Sequence, residues 1–315
     1  MSSLDVIKEV NSIFDQPWWW DVVTEGKWQC AEVVAGDQLV ARWPYYITKR
    51  LGQKIISMPP FTQTSGPWIR ETAAKKVTAL AKRRDMLTKI IDQLPRNINI
   101  DICCDSDNKY ILPFRWKGFS YEPTFSYRLD DLSDLDKIFS DFRDDARRQI
   151  KKPAKELIIC DGDPIEVLFD MQDKTFRRQN RKNPYSKDLL SKLDRACVQH
   201  NARKFLTAKD DKGNVHAGAY FVYDNNICYF LFAGADPDLR NSNAQSLLIW
   251  EGIKFASTVS KKFDFEGSNI QDIEHSLSSF CADFVINYRI TRLNPLLSFA
   301  DYIKPKIKHI IGYKI

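Results

Sequence analysis

The sequence lacks the paired cysteines and clustered histidines of a structural metal site. Its seven cysteines are scattered without any CxxC pair, and its four histidines are far apart along the chain. Several cysteines lie in apolar runs such as LIIC and NNICYFLF, where a thiol serves as a small hydrophobic side chain. We therefore expect neither a zinc site nor any other bound metal.

Long apolar runs are also missing. No segment approaches the roughly 18 consecutive apolar residues needed to span a bilayer, and the opening stretch, MSSLDVIKEVNSIF, has no basic region followed by an apolar one. These absences argue against a membrane span and a secretory signal. The expectation is a reduced, soluble, cytoplasmic protein.

The chain carries no strong charge of one sign, since it has 47 basic and 41 acidic residues and a net charge of +6. This mild basic excess suits anionic partners such as phosphates or nucleotides without indicating nucleic acid. No RNA-recognition motif is present, and we expect no DNA partner. The 315 residues, 43% hydrophobic and 12% aromatic, have room for two domains of about 150 residues each.

What the sequence does contain is an order of predicted elements that repeats. In the first half, KWQCAEVVAGDQLVARWPYYI predicts two strands around the turn AGDQ, followed by the strand KIISM and the loop PPFTQTSGPW. A long helix over 71–94 ends before Pro95. The strands NINIDIC and SYEPTFSYRL then complete the half.

The second half predicts the same kind of order. Ser186 is a predicted helix cap. In chain order we expect a basic helix over 135–151, the strand KELIIC, helices over 164–177 and 186–201, the strands RKFLTAK, HAGAYFVYD and ICYFLFAGA, a helix over 244–258, the strand KFDFEG, a helix over 270–280 and the strand FVINYRI. The pattern predicts an α/β fold with mixed sheets and two similar domains, 1–130 and 131–315.

The stretch KKFDFEGSNIQDIE, residues 261–274, holds the main candidates for chemistry. Read as a strand, it places Phe263 and Phe265 on one face and Asp264 and Glu266 on the other, with the two acidic α-carbons about 6.5–7 Å apart. On an internal strand this face must meet a cleft, because burying two unpaired carboxylates is costly. A second interpretation stays open, in which the acids pair with Lys or Arg from a neighbouring helix or line solvated surface.

Three other stretches have both a functional and a structural interpretation. For Ser268, the structural interpretation is a cap of the next helix and the functional one is a catalytic role. The run KTFRRQNRK, with Arg177, Arg178, Arg181 and Lys182, is either a phosphate clamp or a solvated, favourably charged helix end.

The loop PPFTQTSGPW offers uncharged hydrogen-bonding groups at Thr62 and Gln63 beside Trp68. These residues could hold a sugar or peptide acceptor, or the loop could be purely structural. The triplet Trp18, Trp19 and Trp20 is predicted to pack in a core.

Several stretches resemble the Fem-type family of tandem GNAT acyltransferases: MPPFTQTSGPWI, KTFRRQNRKNPYS, NAQSLLIWEGIKFA and FDFEGSNIQDIEHSLSSFCADF. The resemblance covers most of the chain, about 15–305. It implies two GNAT-like domains in tandem that transfer an acyl or aminoacyl group from acyl-CoA or aminoacyl-tRNA to an amine of a cell-wall or surface-polysaccharide precursor. It implies no tightly bound cofactor, with acyl-CoA serving as a donor substrate.

The resemblance also suggests a role for particular residues. Asp264 and Glu266 would border the donor cleft and provide base chemistry. The donor-binding residues would be Arg240, Ser242, Asn243, Gln245, Arg177 and Arg178, and the acceptor-binding residues Thr62, Gln63 and Trp68.

The candidate donor loop, RNSNAQ, departs from the family pattern. It keeps Arg240 but has Asn243 and Gln245 where GNAT enzymes carry small residues, so a pyrophosphate would approach the backbone less freely. The donor is therefore left open. The altered loop also supports an alternative from another class, a non-catalytic GNAT-like module that binds a nucleotide-linked ligand or a partner.

Overall fold

The computed structural model describes residues 10, 12–178, 180, 182–267 and 271–310. Its strands, in chain order, are β1 (Trp28–Ala35), β2 (Gln38–Arg50), β3 (Gln53–Ser57), β4 (Trp68–Ile69), β5 (Asn99–Cys104), β6 (Ser120–Leu129), β7 (Ile158–Asp161), β8 (Arg203–Lys209), β9 (Val215–Tyr223), β10 (Ile227–Ala235), β11 (Lys262–Asp264) and β12 (Asp283–Arg292). Its helices are α1 (Pro17–Val23), α2 (Lys76–Gln93), α3 (Leu112–Trp116), α4 (Leu135–Asp141), α5 (Asp144–Lys151), α6 (Ile165–Arg178), α7 (Lys187–Gln199), α8 (Ala244–Val259), α9 (Gln271–Leu277) and α10 (Pro295–Ile310).

The chain divides into two compact units. Unit 1 comprises Phe14–Thr124 together with the final segment from Ile286, and unit 2 is centred on Phe125–Val285. Strand β6 therefore leaves unit 1 after Thr124, and strand β12 enters it at Ile286. The domain limits expected from the sequence, 1–130 and 131–315, stay a prediction.

Unit 1 is built on a mixed sheet in the order β1-β2-β3-β5-β12. The first three strands are antiparallel neighbours, whereas β3 and β5 run parallel with Ile56 opposite Ile100. Parallel neighbours need a long crossover, and α2 provides it. Strand β12 then pairs antiparallel with β5, with Ile290 opposite Ile102.

The core of unit 1 lies where α2 packs on this sheet. Leu87 and Ile90 of α2 are buried in the same hydrophobic cluster as Trp43 and Ile100, which follows from their helical spacing of three. Trp18, Trp19 and Trp20 of α1 are also buried. The prediction that these tryptophans pack in a core is confirmed.

Unit 2 has a sheet in the order β7-β8-β9-β10-β11-β6. All neighbours are antiparallel except β10 and β11, which run parallel and are joined by α8. Gly252 lets α8 sit close to the sheet, because a methyl group there would lie 2.2 Å from the Phe221 ring. Gly218, three residues away on β9, contacts Leu168 of α6. The two helices thus cover opposite faces of the sheet.

The same order of pairings recurs in both units: three antiparallel strands, a crossover helix, a parallel strand and a final antiparallel strand, with β7 as an additional antiparallel strand at the start of unit 2. This confirms the predicted α/β fold with mixed sheets and a structural repeat. The final strands are exchanged, however, since β12 pairs with β5 and the second part of β6 pairs with β11. The sequence carries no signal for this exchange, because the alternation of a short strand sets its buried face but not its partner.

Some predicted boundaries also shift. The helix expected over 71–94 begins only at Lys76, and the basic helix expected over 135–151 is two helices, α4 and α5, separated at Phe142. Phe142 is extended and packs its ring against those of Trp250 and Phe280. Burial of that ring outweighs the helical propensity of the surrounding polar residues. Ser186 caps α7 as predicted, accepting a hydrogen bond from Leu189 N.

Candidate active site

Strand β11 ends earlier than its sequence pattern predicts, and this changes how its acids are presented. The strand runs only to Asp264, and Glu266 has a left-handed backbone conformation with φ of 53°. The alternation predicted that Asp264 and Glu266 share one face of a strand. This prediction is wrong, because Glu266 lies beyond the end of the strand. The chain turns because the Asp264 carboxylate accepts the backbone N–H of Glu266 at 2.9 Å, a side-chain-to-backbone bond typical of Asp in turns.

Ser126 of β6 closes this turn from the neighbouring strand. Its hydroxyl donates to Asp264 Oδ1 at 2.5 Å and accepts the backbone N–H of Gly267 at 3.0 Å. A side chain at Gly267 would meet the Ser126 α-carbon at 2.4 Å, so only glycine allows this approach. Sequence reasoning missed Ser126, because 138 residues separate it from Asp264 and a serine in a strand carries no local signal.

The two carboxyl groups differ in their hydrogen bonding. Asp264 is buried, and its Oδ1 accepts two hydrogen bonds, from the Ser126 hydroxyl and the Glu266 backbone. Glu266 Oε1 is shielded from solvent and has no hydrogen-bond partner among the described residues. Its carboxyl group is thus the one left to interact with a ligand.

Burial perturbs the pKa of both acids. It raises the pKa of Asp264, although the bonds from Ser126 and the Glu266 backbone and the nearby Arg128 guanidinium act in the opposite direction. Burial and the adjacent Asp264 raise the pKa of Glu266 well above its usual range. An acid with a raised pKa next to a second carboxyl group is a pattern found at proton-transfer sites. The neighbouring basic side chains Arg128 and Lys262 both form ion pairs with Asp130.

The sheet opens next to this pair. Parallel pairing of β10 with β11 covers only three positions, ending with Tyr229 opposite Asp264, while β10 continues to Ala235. A bulge follows at Leu231, where the register with β9 shifts. The edge of β10 beyond Tyr229 extends for six residues, or about 20 Å, and bulges of this kind often lie beside active sites.

The amino-terminal end of α8 lies at the far end of this open edge. Arg240 and Ser242 form a short 3₁₀ turn, Asn243 is the left-handed residue before the helix, and Gln245 is exposed in its first turn. Asn243 makes no side-chain cap. The structure therefore brings the four predicted donor-loop residues to a helix end whose first N–H groups carry partial positive charge.

The carboxyl-terminal end of α6 contacts the same region. Thr175 donates to Ala235 O at 3.2 Å, and Lys174 forms an ion pair with Asp236 at 2.8 Å. Arg177 and Arg178 follow in the exposed last turn, and Arg177 pairs with Asp173. Sequence reasoning missed Lys174 and Thr175. Two further predictions, Arg181 in the clamp and Ser268 as a helix cap, lie outside the described residues.

The predicted acceptor residues belong to unit 1. The Thr62 hydroxyl is buried, accepting from Trp19 Nε1 at 2.9 Å and donating to Pro60 O at 3.2 Å. Gln63 and Trp68 are half-buried. Because the Thr62 hydroxyl already uses its only hydrogen within the protein, its acceptor role stays a prediction, as do those of Gln63 and Trp68.

Comparison with known proteins identifies the fold. Residues 140–269, which include the acid pair and the α8 loop, match the family described as acetyltransferase (GNAT) domain. The structure of FemX is similar over 92% of this chain and 94% of that one, with a TM-score of 0.69 and 10% identity. The C-terminal domain of a putative lysylphosphatidylglycerol synthetase from Agrobacterium fabrum is similar over 95% and 93%, with a TM-score of 0.60 and 10% identity.

A conserved protein of unknown function from Bacteroides thetaiotaomicron is also similar, with a TM-score of 0.57 and 13% identity over 89% of this chain and 90% of that one. A search of curated protein sequences gives no match. The expected resemblance is confirmed: the chain has a Fem-like, tandem GNAT fold, and residues 140–269 are similar to the acetyltransferase (GNAT) domain.

Two structural checks bear on cofactors and membranes. In the part of the chain that the structure describes, no three His, Cys, Asp or Glu side chains are grouped so that they could hold a metal ion. None of the described helices is long and apolar enough to cross a bilayer.

Proposed function

We propose that this protein transfers an acyl or aminoacyl group from an activated donor, acyl-CoA or aminoacyl-tRNA, to an amine of a cell-wall or surface-polysaccharide precursor. The observation that carries the proposal is the position of Asp264 and Glu266 at the point where β10 and β11 separate, inside the segment that matches the GNAT domain. The cell-envelope acceptor is supported only by the Fem-like fold and by a neighbour named as a lysylphosphatidylglycerol synthetase.

The proposed reaction has a simple balance. The amine nitrogen attacks the carbonyl carbon of the donor, a C–N bond forms, and the C–S bond of a thioester or the C–O bond of an aminoacyl ester breaks. Glu266 accepts the proton that the amine loses, and the leaving thiolate or alkoxide takes up a proton in turn. No covalent enzyme intermediate is needed, because the amine attacks directly.

The open edge of β10 suits an extended donor. The donor arm would lie along this edge as an added strand would, although the carbonyl groups of Ala233 and Ala235 already accept from Gln172 and Thr175. The length of the edge, about 20 Å, would join the α8 end to the acid pair. Arg240, Ser242, Asn243 and Gln245 would bind the donor phosphates, with Arg177 and Arg178 adding positive charge. Asn243 takes the left-handed conformation without glycine. The amides of Ser242 and Asn243 already donate to Leu239 O and Arg240 O, so phosphate binding would fall to the side chains of the loop and to the other amides at the start of α8.

The test is turnover by the purified protein with acetyl-CoA or charged tRNA and a panel of amine-bearing glycan precursors. We expect Glu266→Gln to lower kcat by about 10²–10⁴-fold while circular dichroism shows the native fold. Glu166→Gln is the control for the chemical change alone, because Glu166 is a glutamate of unit 2 outside the candidate site, where it accepts a hydrogen bond from Ser191 at 3.0 Å. Full activity of Glu266→Gln would contradict the assigned base.

A non-catalytic module is the second candidate, and the observation in its favour is the side chains at Asn243 and Gln245 in the donor loop. Thermal stabilisation by acetyl-CoA or a nucleotide sugar, combined with no turnover for any donor and acceptor pair, would favour this alternative.

A further inference from the structure

Ser126 is joined to both ends of the turn that carries the candidate acids. Through one hydroxyl it donates to Asp264 Oδ1 and accepts from Gly267 N. The residue is 3% exposed, so these bonds form away from bulk water, where they are stronger than at a surface.

The hydroxyl is oriented by this arrangement. Because it accepts from the Gly267 amide, its own hydrogen is directed to Asp264, and a hydrogen bond donated to a carboxylate stabilises the charged form. The Glu266 amide donates to the same oxygen. These two bonds favour the charged form of Asp264 and oppose the effect of its burial, whereas no described group donates to Glu266 Oε1.

We infer that Ser126 is the positioning residue of this site: it holds Asp264 as a fixed anion and maintains the turn that presents Glu266 for proton exchange. This inference rests on the proposed function and assigns a different role to each of the two acids. Asp264 keeps its charge and holds the backbone, and Glu266 takes and releases the proton.

Other charged and titratable groups face the pair, and all of them remain in the variants below. Arg128 lies on the same face of β6 and pairs with Asp130 at 2.8 Å. Lys262 of β11 also pairs with Asp130, at 3.1 Å, and Tyr229 of β10 stands opposite Asp264. A change seen on removal of the Ser126 hydroxyl therefore belongs to that hydroxyl.

The test is an NMR titration of the ¹³C-labelled carboxyl groups in the full-length protein, which needs no substrate. In Ser126→Ala the midpoint at which Asp264 ionises should rise by about one pH unit, which corresponds to the loss of one charge-assisted hydrogen bond. A residue with a merely structural role would lower the amount of folded protein without moving this midpoint.

Ser191→Ala is the matched control, since Ser191 makes the same kind of bond, to Glu166, between two helices of unit 2. It should leave both midpoints of the acid pair unchanged. If Ser126→Ala does not fold, Ser126→Thr and Ser126→Val replace it, because they have the same shape and only the former keeps the hydroxyl. The Ser126→Thr variant should keep the wild-type midpoint of Asp264 ionisation, and the Ser126→Val variant should show the rise.

The outcomes separate this inference from the proposed function. An unmoved Asp264 midpoint in a protein that turns over substrate overturns the role of Ser126 and leaves acyl transfer intact. A raised midpoint in a protein without turnover supports the role of Ser126 in fixing the acid pair and counts against acyl transfer.

Discussion

Glu266 combines two energetic costs in a single residue. Its backbone is in the left-handed region, which is unfavourable for a side chain with a β-carbon, and its carboxyl group has one shielded oxygen without a partner among the described residues. Costs of this kind are common at functional sites, where activity is maintained at the expense of stability. The same residue should therefore affect stability and activity in opposite directions.

This trade-off gives a prediction with a definite sign. Because the pKa of Glu266 is raised in the folded protein, the native state keeps a proton at pH values where the unfolded chain releases it. The free energy of unfolding should fall as the pH rises between the two pKa values, by about 1.4 kcal/mol per pH unit. Glu266→Gln lacks this loss, so its stability relative to wild type should increase from pH 5 to pH 8.

Urea denaturation at the two pH values measures this difference. Glu166→Gln serves as a flat control, because a bond from its own backbone amide and the Ser191 hydroxyl lower the pKa of Glu166, so this carboxyl is ionised in both the folded and the unfolded chain at pH 5 and at pH 8. The stability of that variant relative to wild type should therefore be the same at the two pH values. A Glu266→Gln variant whose relative stability is the same at pH 5 and pH 8 would show that the Glu266 carboxyl is not perturbed by folding.

Helix α8 shows how one glycine in the sequence allows a whole element to pack closely on a sheet. Its close position on the sheet depends on Gly252, which faces the Phe221 ring. The donor loop leads into its first turn. Glycine normally weakens a helix by about 1 kcal/mol relative to alanine. Its presence inside a helix of 16 residues follows from the approach of α8 to β9.

Gly252→Ala should therefore destabilise the protein, although alanine favours helix. An added methyl group 2.2 Å from the Phe221 ring forces the helix or the ring to move, at a net cost of about 1–3 kcal/mol. The second substitution Phe221→Leu, made in the Gly252→Ala background, should recover part of that loss. Chemical denaturation of the two single variants and the double variant gives the coupling, and strictly additive effects would refute the contact.

Elements with a strong local pattern could be predicted from the sequence. Helices α6, α7 and α8 lie where periodicity and the Ser186 cap placed them. The break at Phe142 could not be predicted, because it depends on Trp250 and Phe280, more than a hundred residues away. The candidate site also combines a local signal with a distant contact. The pattern KFDFEG indicated Asp264 and Glu266, but the turn between them depends on Ser126 of another strand.

At the scale of the whole molecule, the exchanged strands connect the two repeats. Unit 1 includes β12 from the second half of the sequence, and β11 of unit 2 pairs with β6 from the first half. A cut after Asp130 would leave β5 without its β12 neighbour and β11 without its β6 neighbour. It would also separate Ser126 from Asp264.

The fragments 1–130 and 131–315 should therefore not fold when they are produced separately, and should recover structure when they are refolded together. Circular dichroism and proton NMR of each fragment and of their mixture measure this. A circular permutant that joins the natural ends and opens at the same bond is the control, because it keeps both strands in one chain. A fragment 131–315 that is stably folded alone would contradict the expectation.

The exchanged strands also have a consequence for how such a gene can change. Two tandem repeats joined by a simple tether can be lost, copied or recombined one at a time. Here each copy encodes a strand that pairs within the other unit, so a deletion or swap that removes one copy leaves an unpaired, aggregation-prone edge in the survivor. The two repeats can therefore be inherited only together.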